Sequence, residues 1–147
     1  MSKTNNNETD ESMWTFIPTD LSKAIREIEE DAEKAVAYYG AYLMIIDVYL
    51  DRRGQKDYVT FSQIVDYYEL EEEAKEKLLE DVTSCKWVFH TKKIEGSTDI
   101  MVKPVIVVDD MTQEQCEGIL QAMKQKNYER LLELSPKIGE GKNLVKS

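Results

Sequence analysis

At 147 residues, with 41% hydrophobic residues and eight tyrosines, the chain suits one folded domain with extensions and is too apolar to be disordered. A formal net charge of −10 argues against affinity for DNA gained by releasing phosphate counterions. No apolar run approaches the ~20 residues that span a bilayer.

The first element is an arm, residues 1–12. Its sequence "MSKTNNNETDES" is polar and lacks the apolar centre of a signal peptide, so the expected location is cytoplasmic. Met13, Trp14, Phe16 and Ile17 are too apolar for a free tail and are expected to dock on the core. Thr19 or Asp20 then caps a helix, and the charged stretch after it is open to a break near Asp31.

Val36 to Leu50 is apolar on nearly every side. Tyr38, Tyr42, Ile45 and Tyr49 share one helical face, and Tyr39, Leu43, Ile46 and Leu50 the adjacent one. Such a helix is either central in its own domain or shared with a second subunit. The tyrosine-rich face (Tyr38, Tyr42, Ile45, Tyr49) is the candidate homodimer surface, because phenol hydroxyls favour half-wet settings.

Tyr58-Val59 predicts a short strand, and Thr60 or Ser62 caps a helix carrying Ile64, Val65 and Tyr68. Leu70 marks a tight turn. "ELEEEAKEKLLED" then predicts an amphipathic helix with Ala74, Leu78, Leu79 and Val82 inward and its acids outward. Trp87-Val88-Phe89 opens a strand, Lys92 to Asp99 a turn region around Gly96-Ser97, and Ile100 to Val108 a second strand blurred by Pro104. Asp110 or Thr112 caps a helix with Ile119, Leu120 and Met123 on one side. A short helix around Tyr128 to Leu134 ends at Pro136.

The expected class is therefore α+β, mainly α: a winged helix-turn-helix with an N-terminal helical extension and C-terminal helices. Its parts are the arm at 1–12, a winged-helix domain with N-terminal helices at 13–109, a C-terminal helical extension at 110–136, and a mobile tail at 137–147.

Charge is uneven along this order. Residues 1–83 hold 9 basic and 20 acidic side chains, a balance of −11, while 84–111 hold 4 of each and 112–147 hold 6 basic and 5 acidic. The helix at the recognition position carries Glu71, Glu72, Glu73, Glu76, Glu80 and Asp81 against Lys75 and Lys77. Its glutamates Glu71, Glu72, Glu73, Glu76 and Glu80 form the candidate partner-binding face.

Lys86, Lys92, Lys93 and Lys103 fall on the expected hairpin, where Lys92 and Lys93 are candidate contacts to a phosphate backbone. Lysines on exposed hairpins also serve to protect strand edges. Lys124, Lys126 and Arg130 would extend a DNA contact from the C-terminal helices.

Catalytic, cofactor and metal signatures are not found. His90 is the single histidine, set in an apolar strand. Cys85 and Cys116 lack metal spacing and read as buried free thiols. Asp109-Asp110 and the Glu71–Glu73 run both precede or open helices, where the helix dipole favours carboxylates without a metal. The expectation is a non-enzyme with no cofactor.

Phe16, Pro18 and Asp20 at the opening, Gly40 and the run from Tyr42 to Tyr49, and Trp87-Val88-Phe89 at the strand make a pattern. It resembles the N-terminal winged-helix domain of phage replication-organiser and DnaD-type primosome proteins over about 90 residues. The resemblance implies a winged helix that self-associates and helps assemble a replication complex. The acidic helix departs from that pattern, so the fold and the tendency to dimerise carry over, and DNA recognition does not.

Three functions follow from these residues. The first is a phage-type or mobile-element protein acting through protein contacts in replication or transcription control. The second is an acidic DNA mimic that occupies a nucleic-acid groove of a host enzyme. The third is a DNA-binding regulator using the wing. A protein partner is expected, with duplex DNA binding weak or absent and no membrane contact.

Overall fold

The computed structural model describes residues 18–51 and 56–139. The expected arm at 1–12, the apolar stretch at 13–17, Gly54 and residues 140–147 of the expected tail lie outside the described residues. The fold is mainly helical, with one small three-stranded antiparallel sheet.

Helix α1 (Pro18–Ile28) opens on a proline, whose fixed φ and missing N–H cost nothing at a helix start. It buries Leu21, Ala24 and Ile25. The chain breaks at Glu29 to Asp31 because Asp31 starts a new helix. Its side chain accepts the Glu33 N–H at 3.0 Å and its carbonyl accepts the Ala35 N–H at 3.0 Å, the two bonds of an N-cap.

Helix α2 (Ala32–Asp51) has 20 residues, about 30 Å of helix. It is the hub of the molecule, in contact with α1, with helix α3 (Phe61–Tyr68), with helix α4 (Glu72–Ser84) and with the central strand.

Strand β1 (Val59–Thr60) leads directly into α3. Thr60 and Gln63 cap that helix reciprocally, each side chain bonding the other's backbone N–H. The α3–α4 turn places Glu69 in the left-handed region at φ 52°. There the Leu70 N–H reaches back to the Val65 carbonyl at 3.1 Å, satisfying one of the helix's last acceptors. Leu70 is partly buried against the core, as the turn reading requires.

Strands β2 (Phe89–Lys93) and β3 (Ile100–Pro104) form a hairpin through Gly96, whose φ of 79° suits a residue without Cβ. The sheet order is β1–β3–β2, with Val59 opposite Val102 and Phe89 opposite Pro104. The second strand is shorter than the sequence suggests: after Pro104 the buried Val105, Ile106 and Val107 lead to a 3-10 turn at Val108–Asp110.

Thr112, not Asp110, caps helix α5 (Gln113–Lys124), again with a reciprocal partner, Gln115. Helix α6 (Tyr128–Leu134) is capped by Asn127. Leu134 crosses over Gly118, where an added Cβ would come within 2.8 Å of its methyl. The glycine that weakens α5 as a helix thus lets α6 approach. α5 also packs on α1, so the N- and C-terminal helices close over one core.

Residues 137–139, expected in the tail, are tied down: the Gly139 N–H donates to Asp57 at 2.7 Å. Among the described residues no helix is long and apolar enough to cross a membrane.

Candidate partner-binding surface

The acidic face of α4 is exposed in the folded chain. Glu71, Glu72, Glu73, Glu76 and Glu80 all face solvent, while Leu78 and Val82 enter the core. Three residues depart from the sequence reading. Ala74 and Leu79 are exposed rather than inward, and Asp81 is buried.

Asp81 escapes an unpaired burial because Lys77, one helical turn earlier, donates to it at 2.9 Å. That bond raises the Lys77 pKa above its ordinary value. Lys75 reaches Glu72 at 4.0 Å. Both lysines of the helix are thus engaged along its own surface, and the five glutamates keep an outward negative face.

This face borders a groove of about 410 Å³ between α3, α4 and the hairpin tip, lined among others by Phe61, Val65, Asp66, Lys75, Leu79 and Asp99. At its edge the start of α3 is already occupied. Asp99, at the foot of β3, accepts the Ser62 backbone N–H at 3.1 Å and also a hydrogen bond from the Ser62 hydroxyl. A helix N-terminus is where a phosphate oxygen would be held. Here an internal carboxylate takes that place, with Asp66 beside it.

The candidate wing lysines separate. Lys92 and Lys93 are exposed on β2, opposite Met101 and Ile100. Lys86 lies over the Tyr128 ring at 4.5 Å, and Tyr128 meets Trp87 edge-on at 5.1 Å. Lys86, Lys92 and Lys137 line a second groove of about 400 Å³ at the base of the hairpin, with His90 and Tyr128.

Lys103 is no surface lysine. It is 3% exposed and stands 3.9 Å from the equally buried Asp57. Of the C-terminal basic residues, Lys124 and Lys126 are exposed, and Arg130 pairs with Glu133 at 3.1 Å.

The candidate dimer face is corrected. Tyr38, Tyr42, Ile45 and Tyr49 are 7%, 5%, 0% and 1% exposed, so they form the core face of α2. The Tyr42 hydroxyl donates to the Ile106 carbonyl and the Tyr49 hydroxyl to Asp110, each at 2.9 Å. The polar ends that suggested a wet setting find partners inside the chain. Burial also raises the Tyr42 pKa.

His90 is buried, with its Nε2 2.8 Å from the Ser135 Oγ. Ser135 lies 2.6 Å from the Val105 carbonyl, which can only accept. The hydroxyl therefore gives its proton to Val105 and takes one from His90, a relay that pins the end of α6 to the sheet.

Cys85 and Cys116 are buried free thiols whose pKa values burial raises to about 11, so neither is a reactive thiolate near neutrality. Among the described residues no group of three or more His, Cys, Asp and Glu side chains is placed to hold a metal ion.

The sequence reading missed the Asp57–Lys103 pair, the Ser62–Asp99 lock and the His90–Ser135 relay. Each joins residues more than 35 positions apart, and periodicity carries no signal at that range. No family model, curated protein or solved structure matches this chain.

Proposed function

We propose that the chain is a non-catalytic winged-helix protein of phage or mobile-element type that acts through protein contacts in DNA replication or transcription control, with α4 presenting the contact face. The winged-helix reading is supported by the order α2, β1, α3, α4, β2, β3 and by the sheet order β1–β3–β2, in which the hairpin flanks a helix-turn-helix pair.

The observation that carries the functional reading is the character of the helix at the recognition position. It exposes five glutamates beside a groove whose helix N-terminus is filled by Asp99. A phosphate backbone laid there would meet carboxylates; a basic protein surface would meet complementary charge.

Fluorescence anisotropy with duplex DNA at low salt tests this, followed by capture of partners from host extract with wild type and with Glu71/Glu72/Glu73→Gln. The expected result is no DNA binding and a partner lost with the glutamates. DNA binding that weakens with salt and disappears in Lys92/Lys93→Ala would overturn the reading in favour of the wing regulator. A captured partner that is itself a nucleic-acid-binding enzyme, competed off by DNA, would identify the contact as mimicry.

A further inference from the structure

The groove at the base of the hairpin is basic on a chain that is otherwise acidic. Three of its lining side chains are lysines and none is an acid, although the chain holds 29 acidic residues against 19 basic ones. Each lysine comes from a different part of the fold. Lys86 follows α4, Lys92 stands on β2, and Lys137 follows α6.

The fold holds these parts together. The segment carrying Lys137 and Ile138 is clamped on both sides: Ser135 bonds His90 and the Val105 carbonyl, and the Gly139 N–H bonds Asp57. Lys92 lies two residues beyond His90 on the same face of β2, so the clamp and the ammonium share one wall. Among the described residues Lys92 has no carboxylate partner, and Lys86 makes a cation–π contact with Tyr128 in place of an ion pair. Ammonium groups gathered at one opening repel one another, and an anion set between them reverses the sign of that interaction.

We infer that this groove binds a small phosphate monoester with a planar body, the chemistry of a nucleoside monophosphate. A monoester carries about −1.5 to −2 charges near neutrality, enough to answer more than one lysine. Lysine binds phosphate as a point charge, so ammonium groups from separate elements need no common plane. The buried Phe89 and the partly buried Leu132 and Ile138 supply an apolar wall. The phosphate draws Lys86 from the Tyr128 ring, and the ring face it leaves takes the planar body. The volume, about 400 Å³, lies in the range of small-ligand sites, ~300–1,000 Å³. A duplex keeps its bases stacked inside and offers the lysines diesters alone. The inference is independent of the reading of α4, because the two grooves share no lining residue.

Amide NMR on the full chain, titrated with adenosine monophosphate at low salt, tests the site. Shifts should gather at Lys86, Thr91, Lys92 and Ile138, and the affinity should fall as sodium chloride is raised. Lys86→Met and Lys92→Met should each weaken binding about tenfold or more, the loss of one charge-assisted hydrogen bond. Lys93→Met makes the same change of charge outside the groove and should leave binding as it was. Cyclic adenosine monophosphate, with a single charge, and inorganic phosphate, without a body, should both bind more weakly.

No binding at low salt, or equal losses for Lys92→Met and Lys93→Met, would overturn the site. Cyclic adenosine monophosphate or inorganic phosphate binding as tightly as the monoester would overturn the ligand class. So would a single-stranded oligoadenylate without a terminal phosphate that binds as tightly, since it would make the contact one to a polymer.

Discussion

At the scale of single residues, the most consequential pair is Asp57 and Lys103, 4% and 3% exposed. Lys103 stands on the central strand opposite His90, and Asp57 lies just before β1. The carboxylate also takes the Gly139 N–H, so one buried charge joins the start of the sheet, its middle strand and the end of the described chain. Removing one partner takes this counter-charge from the other in a low-dielectric setting, and breaking a buried pair in this way costs about 3–5 kcal/mol, whereas replacing both by apolar groups is far milder. Asp57→Ala should therefore lower stability by that amount in urea denaturation, while Asp57→Leu with Lys103→Met should fall close to wild type. A loss under about 1 kcal/mol for the single change, the range of exposed pairs, would mean that water reaches the ammonium.

At the scale of elements, α4 is built against its own stability. Glu72 and Glu73 sit in the first turn, where the helix dipole favours them. Glu72, Glu76 and Glu80 form an exposed ladder of like charges at four-residue spacing, each step unfavourable by about 0.2–0.5 kcal/mol. Glu76→Lys removes two repulsions and creates two attractions, so it should stabilise the protein by about 0.8–2 kcal/mol while weakening partner capture. A variant that gains stability and loses binding separates the role of the face from its structure; a variant that loses neither would show that the ladder is only a solvated surface. That α4 is amphipathic, that a cap stands at Thr60 or Ser62 and at Asp110 or Thr112, and that the chain is open to a break near Asp31 were legible in the sequence because each depends on residues within four positions. Which residue of each pair caps, and that Ala74 and Leu79 face out while Asp81 is buried, were not. The two stripes of α2 were also legible, but not which faced outward. That choice rests on the bonds of Tyr42 to Ile106 and Tyr49 to Asp110, 64 and 61 residues away, and no local pattern records them. The same holds for Lys103, whose burial is decided by Asp57 and not by its place on a hairpin.

At the scale of the whole molecule, the groups held neutral in the core set the alkaline limit of the fold. Burial raises the thiols of Cys85 and Cys116 from 9.0 to about 11. Burial, then the hydrogen bond to Asp47, raises the phenol of Tyr68 to about 12, and burial raises Tyr42 as well. In the unfolded chain these groups ionise at their ordinary values, so between those values and the raised ones the unfolded state is favoured by proton release. Their contribution is complete below about pH 9 and is lost as pH rises through 11 to 12. Each ionisation also adds negative charge to a chain that carries −10 near neutrality, so self-repulsion acts in the same direction. The urea midpoint should therefore hold level from pH 7 to about 8.5 and fall steeply above pH 9. Cys85→Ala with Cys116→Ala should move the onset of that fall toward pH 10, where the tyrosines take over. A midpoint unchanged at pH 10.5 would mean that thiols and phenols ionise alike in the folded and unfolded chain, which a core closed by α1, α2 and α5 does not permit.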